Sequence, residues 1–107
     1  MKLLPRPKYN MIEELLRTYG IAKELDEPFE KAIEEIVKFF DVPIYKEFLQ
    51  LFYFERHKFI NRFPDSRSMM NYLKDKLYIS ETQVYTIRKE IVYKSAMIFY
   101  KYNIIED

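Results

Sequence analysis

Apolar residues recur at three- and four-residue spacing along nearly the whole chain, which is the spacing of one face of an α-helix. The pattern predicts five helices. The first follows Pro5 and Pro7 and opens at Asn10, with Glu13 three residues on in capping-box position. Its apolar stripe is Met11, Ile12, Leu15, Leu16 and Tyr19, and Gly20 stands where a left-handed residue ends a helix. The second starts near Asp26-Glu27-Pro28, with proline in the first turn, where its missing N–H costs nothing. It carries Phe29, Ala32, Ile33, Ile36, Val37 and Phe40 on one face, and Asp41-Val42-Pro43 ends it. The third runs from Pro43 to about Ile60, is apolar almost all round, and is expected to be the buried centre. After the turn Asn61-Arg62-Phe63-Pro64, a fourth begins at Asp65 or Ser66, with Met69, Met70, Leu73 and Leu77 inward. Tyr78-Ile79-Ser80 is a very short break. Ser80 and Gln83 form a capping box that opens a fifth helix, with Val84, Ile87, Ile91, Ile98 and Tyr102 on one stripe, running to Asn103.

The expected fold is therefore a single all-α domain, residues 1–107, of four or five helices. Its 107 residues suit one small core, and 49% hydrophobic residues suit a globular chain. Composition narrows the chemistry. Gly20 is the one glycine, which excludes a Gly-rich phosphate cradle and argues against a many-stranded β fold. The absence of cysteine removes disulfide frameworks, thiolate metal sites and cysteine nucleophiles, and fits the reducing cytoplasm. No apolar run is long enough to span a membrane, and Met1-Lys2-Leu3-Leu4-Pro5-Arg6-Pro7-Lys8 has no signal-peptide core. A cytoplasmic protein is expected. His57 is the lone histidine, read as a helix-surface residue, and the pairs Glu13-Glu14 and Glu34-Glu35 read as solvated faces, because a carboxylate metal site in a bundle needs Glu-x-x-His motifs that are absent. No catalytic constellation, metal site or cofactor site is expected, and the Tyr and Phe residues fall on inward stripes, as core, with Tyr85 off the stripe.

The net charge is +1, but it is unevenly placed. Residues 13–47 hold five basic and ten acidic residues, a balance of −5, whereas residues 56–101 hold ten basic and four acidic ones, a balance of +6. The chain thus divides into an acidic part, 1–42, and a basic part, 43–103. Such asymmetry suggests an anionic partner for the second half.

Two helices joined by about three residues, the second opened by serine, match a helix-turn-helix. Leu73 and Leu77 would anchor the first helix, Ile79 would plug the turn, and Val84 and Ile87 would hold the second. Its other face offers Thr82, Gln83, Tyr85, Thr86 and Lys89, groups suited to reading a major groove, and Ser80 with the free N–H groups at the helix start could take a phosphate. Two positions depart from the usual template: Lys74 stands where alanine is common, and Tyr78 where glycine is common. The segments 47–54 (EFLQLFYF) and 77–91 (LYISETQVYTIRKEI) resemble the RinA/ArpU-like phage transcriptional regulators, over roughly residues 43–100. The resemblance implies a fold similar to region four of sigma factors and a role in activating phage or mobile-element late genes. It marks Ser80, Thr82, Gln83, Tyr85, Thr86, Arg88 and Lys89 as DNA-facing residues, and says nothing of Lys74 or of the first 40 residues.

The function expected from sequence is a non-enzymatic regulator that reads double-stranded DNA with helix 81–100, with Arg88, Lys89, Lys94, Arg67 and Lys76 neutralising phosphates. The alternative is a protein-interaction module that modulates transcription by binding RNA polymerase or another transcription regulator. Beyond Ile91 the last helix is apolar on more than one face. An exposed patch at 91–102 would suit a two-fold homodimer, with half-sites about 34 Å apart, unless the first 40 residues wrap it.

Overall fold

The computed structural model of the protein describes residues 3–106; Met1 and Lys2, the start of the N-terminal stretch discussed above, lie outside the described residues, as does Asp107. The chain is all-α, with no strand among the described residues. Helix α1 spans Arg6–Ile21, α2 Glu27–Phe39, α3 Pro43–Phe48, α4 Ser66–Leu77 and α5 Glu81–Lys101. No helix among the described residues is long and apolar enough to cross a membrane.

The starts of α2, α4 and α5 follow their local signals. Pro28 lies in the first turn of α2, and Asp65 caps α4 by accepting from the Ser68 N–H at 2.7 Å. Helix α1 departs from expectation. It begins at Arg6 behind Pro5, because Pro7 fits a first turn as well as Pro28 does. Asn10 is then inside the helix and caps nothing, and Glu13 is buried instead of serving a capping box.

Gly20 is a second correction. It lies within α1 with no positive φ, so it is not a left-handed stop. Its role is close approach: a Cβ there would overlap the carbonyl oxygen of Phe54 and lie 2.6 Å from the carbonyl carbon. The expected long third helix is also irregular. α3 passes into a π-helical stretch, Leu49–Phe54, closed by the Glu55 N–H bonding to the Gln50 carbonyl at 2.7 Å, and then a 3₁₀ turn, Arg56–Phe59. The wider π turn gathers neighbours that a regular helix would fan apart. Phe48, Leu49, Phe52, Tyr53 and Phe54 are all buried, and the Phe48 ring lies 5.0 Å from Phe52 and 6.3 Å from Tyr53. α1 packs on this stretch, with Tyr19 edge-on to Phe54 at 4.7 Å.

That aromatic rod and α5 make the core, each large buried side chain contributing roughly 1.5–3 kcal/mol relative to exposure. The second apolar face of α5, from which the sequence suggests a dimer, is covered within the chain. Val92, Ala96 and Phe99 are buried, α1 and α2 both pack on α5, and Phe29 of α2 stacks on Phe99 at 5.9 Å. The first 40 residues therefore wrap the helix, and the exposed patch on which the dimer expectation rests is reduced to the surroundings of Met97. The end of α5 is closed by Asn103 in the left-handed region, with the Ile104 N–H bonding to the Phe99 carbonyl at 2.9 Å and that of Asn103 to the Tyr100 carbonyl at 3.0 Å. These two bonds are a Schellman closure.

Candidate nucleic-acid interface

The connection between α4 and α5 is three residues, Tyr78-Ile79-Ser80, and each residue has a distinct task. The Ile79 N–H bonds to the Lys74 carbonyl at 3.1 Å and the Tyr78 N–H to that of Asp75 at 3.4 Å, a second Schellman closure. This requires a left-handed residue, and Tyr78 supplies it at φ 56° and ψ 46°. A tyrosine thus adopts the conformation that glycine adopts in the common template, and the turn is kept. The Tyr78 side chain is 94% exposed, so no packing compensates for the strain. Ile79 turns inward with Leu77, partly buried against the core, while Leu73, Val84 and Ile87 are buried.

Ser80 caps α5. Its Oγ accepts from the Gln83 N–H at 3.1 Å, and Gln83 Oε1 accepts from the Ser80 N–H at 2.8 Å. The two side chains satisfy each other and the helix end. Thr82, Tyr85, Thr86 and Lys89 form the outward face, with Tyr85 45% exposed. Glu81 and Glu90 share this side of the helix, so it is mixed in charge. Of the cations expected beside it, Arg67 is exposed, Lys76 is 3.8 Å from Glu47, and Lys94 lies over the Phe39 ring at 4.2 Å. Lys74 is half-buried and contributes its carbonyl to the turn.

Arg88 does not join the outward face. Its Nε donates to Glu13 Oε2 at 2.7 Å and its Nη2 to Oε1 at 2.8 Å, a two-pronged pair that ties α5 to α1. Tyr53 donates its hydroxyl to the same Oε2 at 2.7 Å. The guanidinium lies 5.2 Å from the Phe52 ring centre, with Arg56 5.1 Å from the same ring. Burial works against the Arg88 charge, but the bonds to Glu13 and the Glu13 charge outweigh it, so its pKa stands above the ordinary guanidinium value. Burial, and then the Glu13 charge, push the Tyr53 phenol well above the usual tyrosine range. Burial, and then repulsion from Arg17 and Arg88, lower the pKa of Arg56. A phosphate contact from Arg88 would require opening this cluster.

Two residues of this region have roles that sequence reasoning does not assign: Tyr78 as the left-handed closure of α4 and Glu13 as the buried partner of Arg88. Tyr78 is legible as a non-glycine at a glycine position. Glu13 has a fainter signal, sitting beside Ile12 on the inward side of α1. No protein-family model, curated protein or solved structure matches the chain.

Proposed function

We propose that the protein is a non-enzymatic transcription regulator of the phage or mobile-element type, acting in the cytoplasm, that presents the first two turns of α5 to the major groove of double-stranded DNA. The observation that carries this reading is the division of that helix. Val84, Ile87 and Ile91 are fixed in the core, while Thr82, Tyr85, Thr86 and Lys89 point outward next to a three-residue turn and a capped helix start. Hydroxyls and one cation on a rigid helix suit base edges and a phosphate. The resemblance of residues 77–91 to the RinA/ArpU-like regulators supports the same face. Arg88 serves here as a positioning residue that fixes the rotation of α5. Selection from a random duplex library by gel shift tests the reading. A recovered consensus bound by the wild type and lost in Thr82→Ala/Thr86→Ala supports it; Lys89→Ala should lower the log–log salt slope by about 0.9. Failure to retain any duplex at low salt overturns it.

A second reading, a module that binds RNA polymerase or another regulator without reading DNA, is favoured by the Arg88–Glu13 pair, which removes from the outer face the cation best suited to phosphate. Co-purification of polymerase or a regulator, with no duplex selected, distinguishes it.

A further inference from the structure

The C-terminal end of α2 and the middle of α5 enclose an open groove of about 370 Å³. Phe39 is 57% exposed and Met97 50%, two large apolar side chains on one wall each. Phe40 and Tyr93 complete the apolar lining. The aromatic row is held in place from behind: Phe39 lies edge-on to Phe40 at 5.0 Å, Phe40 stacks on Tyr45 at 5.5 Å, and Tyr45 donates to Glu90 Oε2 at 2.6 Å. The one carboxylate of the groove is therefore turned to a partner within the chain.

The cations of the groove lie over aromatic rings instead. Lys94 Nζ sits 4.2 Å from the Phe39 ring centre, and Lys89 Nζ 5.6 Å from that of Tyr93. Among the described residues neither makes a salt bridge, a condition they share with Lys8, Lys23, Lys38 and Lys74, whereas Lys31, Lys46, Lys58, Lys76 and Lys101 are paired. Two ammonium groups with no salt-bridge partner among the described residues thus flank an exposed apolar trough whose own carboxylate, Glu90, is engaged by Tyr45. An apolar side chain entering the trough removes Phe39 and Met97 from water. A carboxylate one helical turn away reaches either lysine without displacing an existing ion pair.

From this charge complementarity we infer that the groove binds a partner protein's acidic amphipathic segment, seated as a helix with its apolar face against Phe39 and Met97 and its carboxylates on Lys89 and Lys94. Along α5 the site runs from about 4.5 Å beyond Thr86, at Lys89, to about 16 Å beyond it, at Met97, at 1.5 Å rise per residue. It is independent of the DNA reading except at Lys89, which borders both.

The test uses the full chain and a fluorescent synthetic peptide of about 16 residues, roughly four helical turns. Leu and Phe stand at i, i+3, i+4 and i+7, with Glu and Asp elsewhere. A second peptide keeps the apolar positions and replaces the acids by Lys, and a third keeps the acids and replaces Leu and Phe by Ser. Saturable anisotropy change with the first peptide alone is expected. Binding should weaken about tenfold or more in Met97→Asp and in Lys94→Glu, with backbone amide shifts centred on residues 37–42 and 89–98. Met97 is exposed and Lys94 half-buried over Phe39, and neither is in the core, so the variants keep their helical circular dichroism; should Met97→Asp lose it, Lys94→Glu decides. Duplex retention by Met97→Asp, measured in parallel, reports on the DNA reading separately. Equal binding of the basic peptide, unchanged binding in Lys94→Glu, amide shifts confined to residues 80–86, or self-association abolished by Met97→Asp would each overturn the proposal.

Discussion

Replacing Arg88 by methionine tests whether this side chain holds the fold together or serves the surface. Glu13 keeps 4% of its side-chain exposure and Arg88 19%, so water screens the pair poorly. Three donors converge on the carboxylate: Arg88 Nε at 2.7 Å, Arg88 Nη2 at 2.8 Å and the Tyr53 hydroxyl at 2.7 Å. Arg88→Met removes two of the three and leaves a buried carboxylate facing one phenol. Stranding one charge of a buried pair costs about 3–5 kcal/mol, and the partial exposure of Arg88 places the loss near the lower end. A domain of this size has about 5–15 kcal/mol in all. At about 4–8 °C per kcal/mol, the expected fall in Tm is at least 12 °C. Circular dichroism at the helix band measures both, the free-energy loss in urea and the fall in Tm on heating. The double variant Glu13→Gln/Arg88→Met carries no stranded charge and should be more stable than the sum of the two single losses predicts, by roughly 1–3 kcal/mol of coupling. A loss under about 1 kcal/mol in Arg88→Met, or strict additivity in the double variant, would refute the clamp. A stable Arg88→Met that had lost all duplex binding would restore Arg88 as a phosphate contact.

Three further outcomes are expected. Gly20→Ala should cost roughly 2–3 kcal/mol in urea unfolding, because the new methyl meets the backbone of Phe54 rather than a side chain that can move. Tyr78→Gly should raise stability by about 0.5–1 kcal/mol, since relief of about 1–2 kcal/mol of left-handed strain exceeds the added freedom of glycine in the unfolded chain. At alkaline pH the buried phenols make folding proton-dependent. Tyr53 is held well above the ordinary value of 10.0, and Tyr9 is pushed up to about 12, by burial and then by Glu13. A raised phenol pKa favours the neutral folded form, so its contribution is complete below about pH 10 and is lost as pH rises through the folded values. For Tyr53 alone the slope is about 1.4 kcal/mol per pH unit. Tyrosinate absorbance and helix circular dichroism recorded together should show one late absorbance step coincident with unfolding, and full ionisation of all tyrosines in folded protein would contradict it.

The parts of this fold that show in the sequence are those set by neighbours in the chain. Pro28 in a first turn, Asp65 three residues before Ser68, and the reciprocal pair Ser80 and Gln83 are local devices, and the helices start where they stand. The π-helical stretch is not legible, because residues 48–54 are apolar at nearly every position and fit several helical pitches. α1 packs on this stretch and comes closest at Gly20, where a Cβ would overlap the Phe54 carbonyl. That glycine is itself ambiguous in sequence: close approach and left-handed backbone both call for it, and here the left-handed positions fall to Tyr78 and Asn103. The division of α5 into an outward face and a buried stripe is legible at Thr82, Tyr85 and Thr86. It fails at Arg88, which lies four residues after Val84 and three before Ile91 and so shares their stripe. A charged residue at core spacing signals a buried partner, but the partner is 75 residues away and no local spacing names it.

The same pairing alters the meaning of the charge asymmetry. An acidic first half and a basic second half suggest an anion outside the molecule. In the structure, part of that anion is the first half itself. Arg88 meets Glu13 and Lys101 meets Glu35 at 2.8 Å, each joining the basic half to the acidic one. The exposed Lys101–Glu35 pair adds little stability by itself, since water and salt screen it. The position of α5 rests instead on the buried pair and on the packing of α1 and α2 against it. α1 grips it at Arg88, α2 at Phe99, and the tail at Ile104 closes its end. The orientation of Thr82, Tyr85 and Thr86 toward any partner therefore depends on residues 6–40 as much as on α4. A chain beginning at residue 43 would keep the turn and the capping box but lose Glu13, Phe29 and Ile36 from around α5, exposing Phe99 and stranding Arg88. The acidic part is thus not a separate attachment to a helix pair but the structure that aims it.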